Sequence, residues 1–245
     1  MIWRIRLTSF FFLYASLAIA HEPVLLDARR ATPGLRLDLI ELPAITTTDF
    51  ATTRYRMRVS GLPRGVVFGV WTKDFGHSFH EVATGFQMDA SGVMVSSDLD
   101  GAGRPRQLDE MVLDPGPSYP RGAIWEVALA SVDLTLTAFA TVIPRPITAR
   151  DGPCTVSLEL VTRRGDRFVA TGSGFPPDED VVIELWYAGR MIQKRRRVTA
   201  EGQLPPDVIS HGADGTDRSA RYTVKGRTCE VAVEYEWDKP ALSQR

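Results

Sequence analysis

The chain has no asparagine, two cysteines, four histidines and four lysines in 245 residues. Each shortage excludes something. Without Asn there is no acceptor for N-linked glycosylation. The two cysteines, Cys154 and Cys229, form no C-x-x-C pair, so the thiol-redox motif is absent. Four histidines and no H-E-x-x-H leave no self-contained zinc hydrolase motif. An excess of one charge is lacking too, with 29 basic against 30 acidic side chains. Residues 21–148 carry 12 basic and 15 acidic side chains, and residues 149–245 carry 15 of each. Neither part has the basic excess of a nucleic-acid binder. Arg supplies 25 of the 29 basic residues, which points to GC-rich coding and a bacterial source.

Catalytic signatures are missing as well. No G-x-S-x-G elbow occurs, and Gly172-Ser-Gly174 sits in a turn before a strand rather than in that frame. No phosphate-binding glycine loop precedes a helix. Acids are plentiful, yet no two form a recognisable acid/base couple. The expectation is a protein without catalytic activity. No window holds a sustained helical period, and beyond the first 20 residues no run is apolar enough to span a bilayer.

What is present begins with an export signal. Arg4 and Arg6 form a positive start, Leu7–Ala20 is uncharged, and Ala18-Ile-Ala20 is an A-x-A cleavage site. Residues 1–20 therefore read as a secretory signal peptide. No cysteine near the cleavage point offers a lipid anchor, so the expected location is periplasmic or secreted. In that compartment Cys154 and Cys229 are expected to pair. Closing so long a loop stabilises by roughly 4–5 kcal/mol in the chain-entropy model.

The patterning has period two. Leu35-Arg-Leu-Asp-Leu39 and Arg54-Tyr-Arg-Met-Arg-Val59 alternate apolar and charged side chains, the mark of strands with one buried face. Further strands are expected at 65–71, 92–95, 123–129 and 134–142, with turn clusters between them. Gln107–Leu113 offers the one helical turn. Ile143-Pro-Arg-Pro146 reads as a linker. Beyond it, strands are expected at 154–161, 168–171, 181–187, 191–198, 221–224 and 229–235. The fold class is all-β, two antiparallel β-sandwich domains in tandem, at 21–148 and 149–238, with a tail at 239–245. In the second, Gly172-Ser-Gly-Phe175, the Pro-Pro-Asp-Glu turn, the Val-rich strand after it and the later Gly202-Gln203 resemble the bacterial Ig-like repeats of the TIG type. That resemblance implies an Ig-like sandwich acting in adhesion, spacing or binding, and carries no active site with it.

Four features are candidates for chemistry. Cleavage after Ala20 would make His21 the first residue, whose amino group and imidazole chelate a metal together. A third nitrogen from His77 or His80 would complete a Cu(II) site. In fold class, export and His21 the first domain is similar to the exported copper proteins with a histidine brace, the lytic polysaccharide monooxygenases and CopC-like carriers. Cleavage after Ala18 would remove that site. Asp98-Leu-Asp-Gly101 echoes a calcium loop, but Arg104 and Arg106 stand where ligands belong, so a polar hairpin turn is expected. Lys194-Arg-Arg-Arg197 either binds an anionic envelope polymer or guards an edge strand by charge, the second being favoured. Trp71, Trp125 and Trp186 lie in apolar runs and are expected in the core, with Trp237 exposed. The partner expected is a protein or a cell-envelope polymer, with no nucleic acid and no membrane span after cleavage.

Overall fold

A computed structural model describes residues 26–46, 51–100, 102–212 and 218–237. The signal segment 1–20, His21 and the tail 239–245 lie outside them. The described residues form seventeen strands and two short 3-10 turns, and no α-helix. Among them no helix is long and apolar enough to cross a membrane. The all-β class is as expected.

The first half holds strands β1 (Arg36–Thr46), β2 (Ala51–Ser60), β3 (Phe68–Lys73), β4 (His80–Met88), β5 (Met94–Leu99), β6 (Pro105–Gln107), β7 (Val112–Leu113), β8 (Trp125–Ser131) and β9 (Thr137–Val142). They make a three-stranded sheet, β1-β2-β7, and a six-stranded sheet, β6-β5-β4-β3-β8-β9. The alternation read from the sequence sets the facing sides. Leu37, Tyr55 and Met57 turn inward while Asp38, Arg56 and Arg58 stay exposed. Across the interior Tyr55 meets Trp125 of the other sheet, ring centres 5.9 Å apart. The 3-10 turn at Leu108–Glu110 occupies the expected helical position.

Strand β8 is buried on both faces, because the chain from Leu26 covers the outer side of its sheet. Leu26 packs on Ala128 and Ala130, flanked by Trp71, Phe79 and Phe139. The cover is fastened by Thr137, whose hydroxyl donates to the Arg30 carbonyl at 2.6 Å and whose N–H donates to the Thr32 hydroxyl at 2.9 Å.

The second half holds β10 (Ile147–Asp151), β11 (Cys154–Leu160), β12 (Arg167–Ser173), β13 (Asp180–Tyr187), β14 (Arg190–Arg197), β15 (Gln203–Ser210), β16 (Ser219–Lys225) and β17 (Glu230–Glu236). Two four-stranded antiparallel sheets, β10-β11-β12-β15 and β14-β13-β16-β17, face each other. The Cys154–Cys229 disulfide joins β11 of one sheet to the start of β17 in the other. The bridge was expected to join the first and last strands of this half. In fact β10 precedes β11, directly after the Ile143–Pro146 linker, and the residue-148 division falls inside β10.

Candidate binding cleft at the junction of the two halves

The halves are joined by hydrogen bonds from a short stretch after Tyr119. The Tyr119 ring is 2 % exposed, and its hydroxyl donates to the Ile124 carbonyl at 2.5 Å and accepts the Phe75 N–H at 3.0 Å. Burial pushes its pKa up, so it stays a neutral donor. Arg145 donates to the carbonyls of Pro117 and Tyr119. The Gly122 N–H then donates to the Arg145 carbonyl, and the Gly122 carbonyl accepts the Leu160 N–H, each at 2.8 Å. Ala123 and Leu160 form a parallel bridge. Gly122 is required here twice over. Its φ is +76°, and a Cβ would stand 3.0 Å from both Ile147 Cδ1 and the Leu158 carbonyl oxygen.

This fastened stretch presents Arg121 to a cleft of about 530 Å³, whose other wall is the sheet β14-β13-β16-β17. Along β13, Val181, Ile183 and Leu185 take the inner face, so Trp186 falls on the outer one. Its side chain is 47 % exposed. In register beside it lie Met191 of β14 and Arg221 of β16, and Glu234 of β17 is paired with Arg221. One outer row thus runs Met191, Trp186, Arg221, Glu234 across four strands. The tight turn Ala188-Gly189, both residues at positive φ, closes the β13–β14 hairpin and borders the cleft. Arg121, Arg221 and Glu234 make no side-chain hydrogen bond or ion pair among the described residues. Glu236 also lines the cleft. The site therefore offers one large ring face with donors and acceptors around it.

Two expectations about tryptophan need correction. Trp186, expected in the core, is exposed, because the β13 alternation gives the inner face to the odd-numbered positions. Trp237, expected to be exposed, is 1 % exposed. It stacks on His211, 4.8 Å between ring centres, with the Arg218 guanidinium 4.7 Å from the Trp237 ring.

The other candidates are distributed. His77 lies in the turn before β4, and its Nε2 is 3.2 Å from an Arg163 guanidinium nitrogen of the second half. His80 opens β4, with its Nε2 3.1 Å from the Thr72 hydroxyl. Among the described residues no group of three or more His, Cys, Asp or Glu side chains could hold a metal ion. Nearby, Lys73 reaches Asp27 at 3.1 Å and Glu126 at 3.0 Å. Burial lowers its pKa, and these two carboxylates outweigh that, so the net shift is upward.

Asp100 sits in the turn between β5 and β6, accepting the N–H groups of Ala102 and Arg104 and pairing with the Arg104 guanidinium. These bonds hold its carboxyl below the usual range, the Arg104 N–H first among them. The basic run lies in β14, an edge strand of its sheet. Lys194 and Arg196 turn toward the buried Asp207 of β15, at 2.5 and 4.0 Å. Arg197 pairs with Asp180 at 3.4 Å and Asp178 at 4.0 Å.

No protein-family model and no curated protein matches the chain. Three solved structures to which it is similar come from adhesins. One is a tetra-tandem repeat from the extending region of a large adhesion protein, 15% identical over 83% of this chain, with a TM-score of 0.27. Another belongs to a 1.5-MDa bacterial ice-binding adhesin, in a study of its host cell surface retention, 11% identical over 84% of this chain and 65% of that one, TM-score 0.24. The third is a Ca2+-stabilized adhesin with which an Antarctic bacterium reaches out and binds ice, 9% identical over 85% of this chain and 74% of that one, TM-score 0.21. The chain spans about half the length of the first, 49%. At these TM-scores the likenesses carry no argument about site or ligand.

Proposed function

We propose that the chain is an exported, non-catalytic binding module of the bacterial cell envelope. In this reading it consists of two β-sandwich units, 21–148 and 149–238, the second Ig-like of the TIG type, and it binds its partner through the cleft at their junction. The observation that carries the reading is the exposed Trp186 ring beside Arg121, Arg221 and Glu234, none of which has a partner among the described residues. Large rings and charged forks left without protein partners at a concave junction are the chemistry of a recognition site. The Cys154–Cys229 bond supports an oxidising compartment. The test is expression of the full chain in a bacterial host, fractionation, and sedimentation of the mature protein with isolated envelope fragments. Mature protein in the periplasm or medium that sediments with the fragments is expected. Turnover in a broad hydrolase screen, lost on mutating one acid or His, would overturn the reading.

A second reading keeps the copper site of His21 with His77 or His80. It is favoured by the docking of Asp27 on Lys73, next to Thr72, which bonds His80. Six residues of chain from His21 to Asp27 reach at most about 20 Å. Copper titration of the exported protein against a form with one extra Ala before His21 tests it. Equal weak binding by both would retire it.

A further inference from the structure

We propose that the junction cleft binds a neutral saccharide, with one pyranose ring stacked on Trp186. The inference rests on the binding-module reading and names its ligand. An indole face carries the negative side of its quadrupole, and the C–H face of a pyranose, slightly positive, lies flat against it. Trp186 presents such a face from a rigid inner strand of its sheet, whereas Trp125 and Trp237 are buried.

Sugar hydroxyls each donate and accept, so a saccharide site needs both kinds of partner close to the ring. Arg121 and Arg221 are donors only; Glu234 is an acceptor. Arg221 and Glu234 occupy adjacent strands in the same row as Trp186, within about 10 Å of it at the usual strand spacing. A guanidinium fork spans two vicinal hydroxyls as it spans two carboxylate oxygens.

The lining holds two arginines and two glutamates, so it has no formal excess of positive charge to favour an anion. The basic strand points the same way. Lys194 and Arg196 are directed at Asp207, and Arg197 at Asp180. That leaves Arg195 as the cation of the run with no acid partner among the described residues. The cleft volume, about 530 Å³, falls in the range of roughly 300–1,000 Å³ of small-molecule sites.

The experiment is affinity electrophoresis of the full mature chain through native gels cast with dextran, laminarin, galactomannan or hydroxyethylcellulose, beside gels with alginate. Retardation by at least one neutral polymer is expected. Trp186→Ala should weaken it about tenfold or more, and Arg221→Ala and Glu234→Gln each about threefold. Arg195→Ala should leave it unchanged. Trp186 is exposed, so the Ala variant should unfold at the same urea midpoint as the parent, and that midpoint is measured alongside. No retardation by any neutral polymer, or equal retardation of the Trp186→Ala protein, overturns the proposal. Retardation by alginate alone, kept in Trp186→Ala and lost in Arg195→Ala, also overturns it and leaves the binding-module reading standing. Trp186-dependent retardation with release of reducing ends upholds the cleft and overturns the non-catalytic reading.

Discussion

At the scale of single residues, His211 shows how an aromatic box sets a charge state. The ring is 7 % exposed and lies among Phe168, Tyr187, Tyr235 and Trp237. Its Nε2 is 2.9 Å from the Tyr235 hydroxyl, and its Nδ1 has no hydrogen-bond partner. Burial pushes its pKa down to about 4, with the charge of Asp166 opposing the shift. The folded protein thus holds the neutral form, while the unfolded chain takes up a proton near pH 6.5. Between those values the unfolded state binds more protons, so stability is full above pH 6.5 and falls as the pH drops toward 4. The full shift would be worth about 3 kcal/mol, and discounting for solvent screening brings the expected loss to about 2 kcal/mol. Urea unfolding at pH 7.5 and pH 4.5 measures it. His211→Gln should lose less stability over that interval than the parent chain, and equal losses would show that the box does not hold the ring neutral.

At the scale of elements, the edge strands β14 and β15 meet at Asp207. This carboxylate is 4 % exposed and accepts from Lys194 and from the Tyr222 hydroxyl, 3.1 Å away. The run Lys194–Arg197 therefore divides by the pleat. Lys194 and Arg196 serve the interior, and Arg195 and Arg197 the outer face. Asp207→Ala leaves a buried hydroxyl and a half-buried ammonium without their acceptor and should cost about 2–3 kcal/mol of unfolding free energy, measured by urea denaturation. Arg195→Ala, fully outside, should stay within about 0.5 kcal/mol.

The elements also show what the sequence made legible. β1, β2, β11 and β17 alternate cleanly and lie where that pattern puts them. β15 was missed because Pro205-Pro206 argues against a central strand; it forms at a sheet edge, where absent N–H donors cost nothing. β4 was missed because Phe86 is its one fully buried side chain, so no apolar period exists to read. The outward turn of Trp186 was legible in the Val181, Ile183, Leu185 spacing. Its neighbours in the cleft gave no local signal, since Arg121, Arg221 and Glu234 come together through the docking of distant segments.

At the scale of the whole molecule, one continuous core runs from Leu37 through Ile147 to Tyr235, so the halves share buried surface rather than hang from a linker. The hydrogen bonds of Gly122 to Arg145 and Leu160 fix their relative placement, and the cleft depends on that placement because Arg121 comes from one half and Trp186 from the other. The parent chain should therefore unfold in a single calorimetric transition. Gly122→Val forces a branched side chain into positive φ and against Ile147 and the Leu158 carbonyl. The junction should open first, splitting the transition in two. The disulfide then distinguishes the pieces. It closes a loop within the second half, at a sequence separation of 75. Reduction should remove roughly 4–5 kcal/mol from the transition of that half and leave the other in place. Two transitions in the variant with only one lowered by reductant would assign the coupling to Gly122. A single transition that reductant shifts as a whole would place the coupling in the shared core instead, and the cleft would then survive the loss of the glycine.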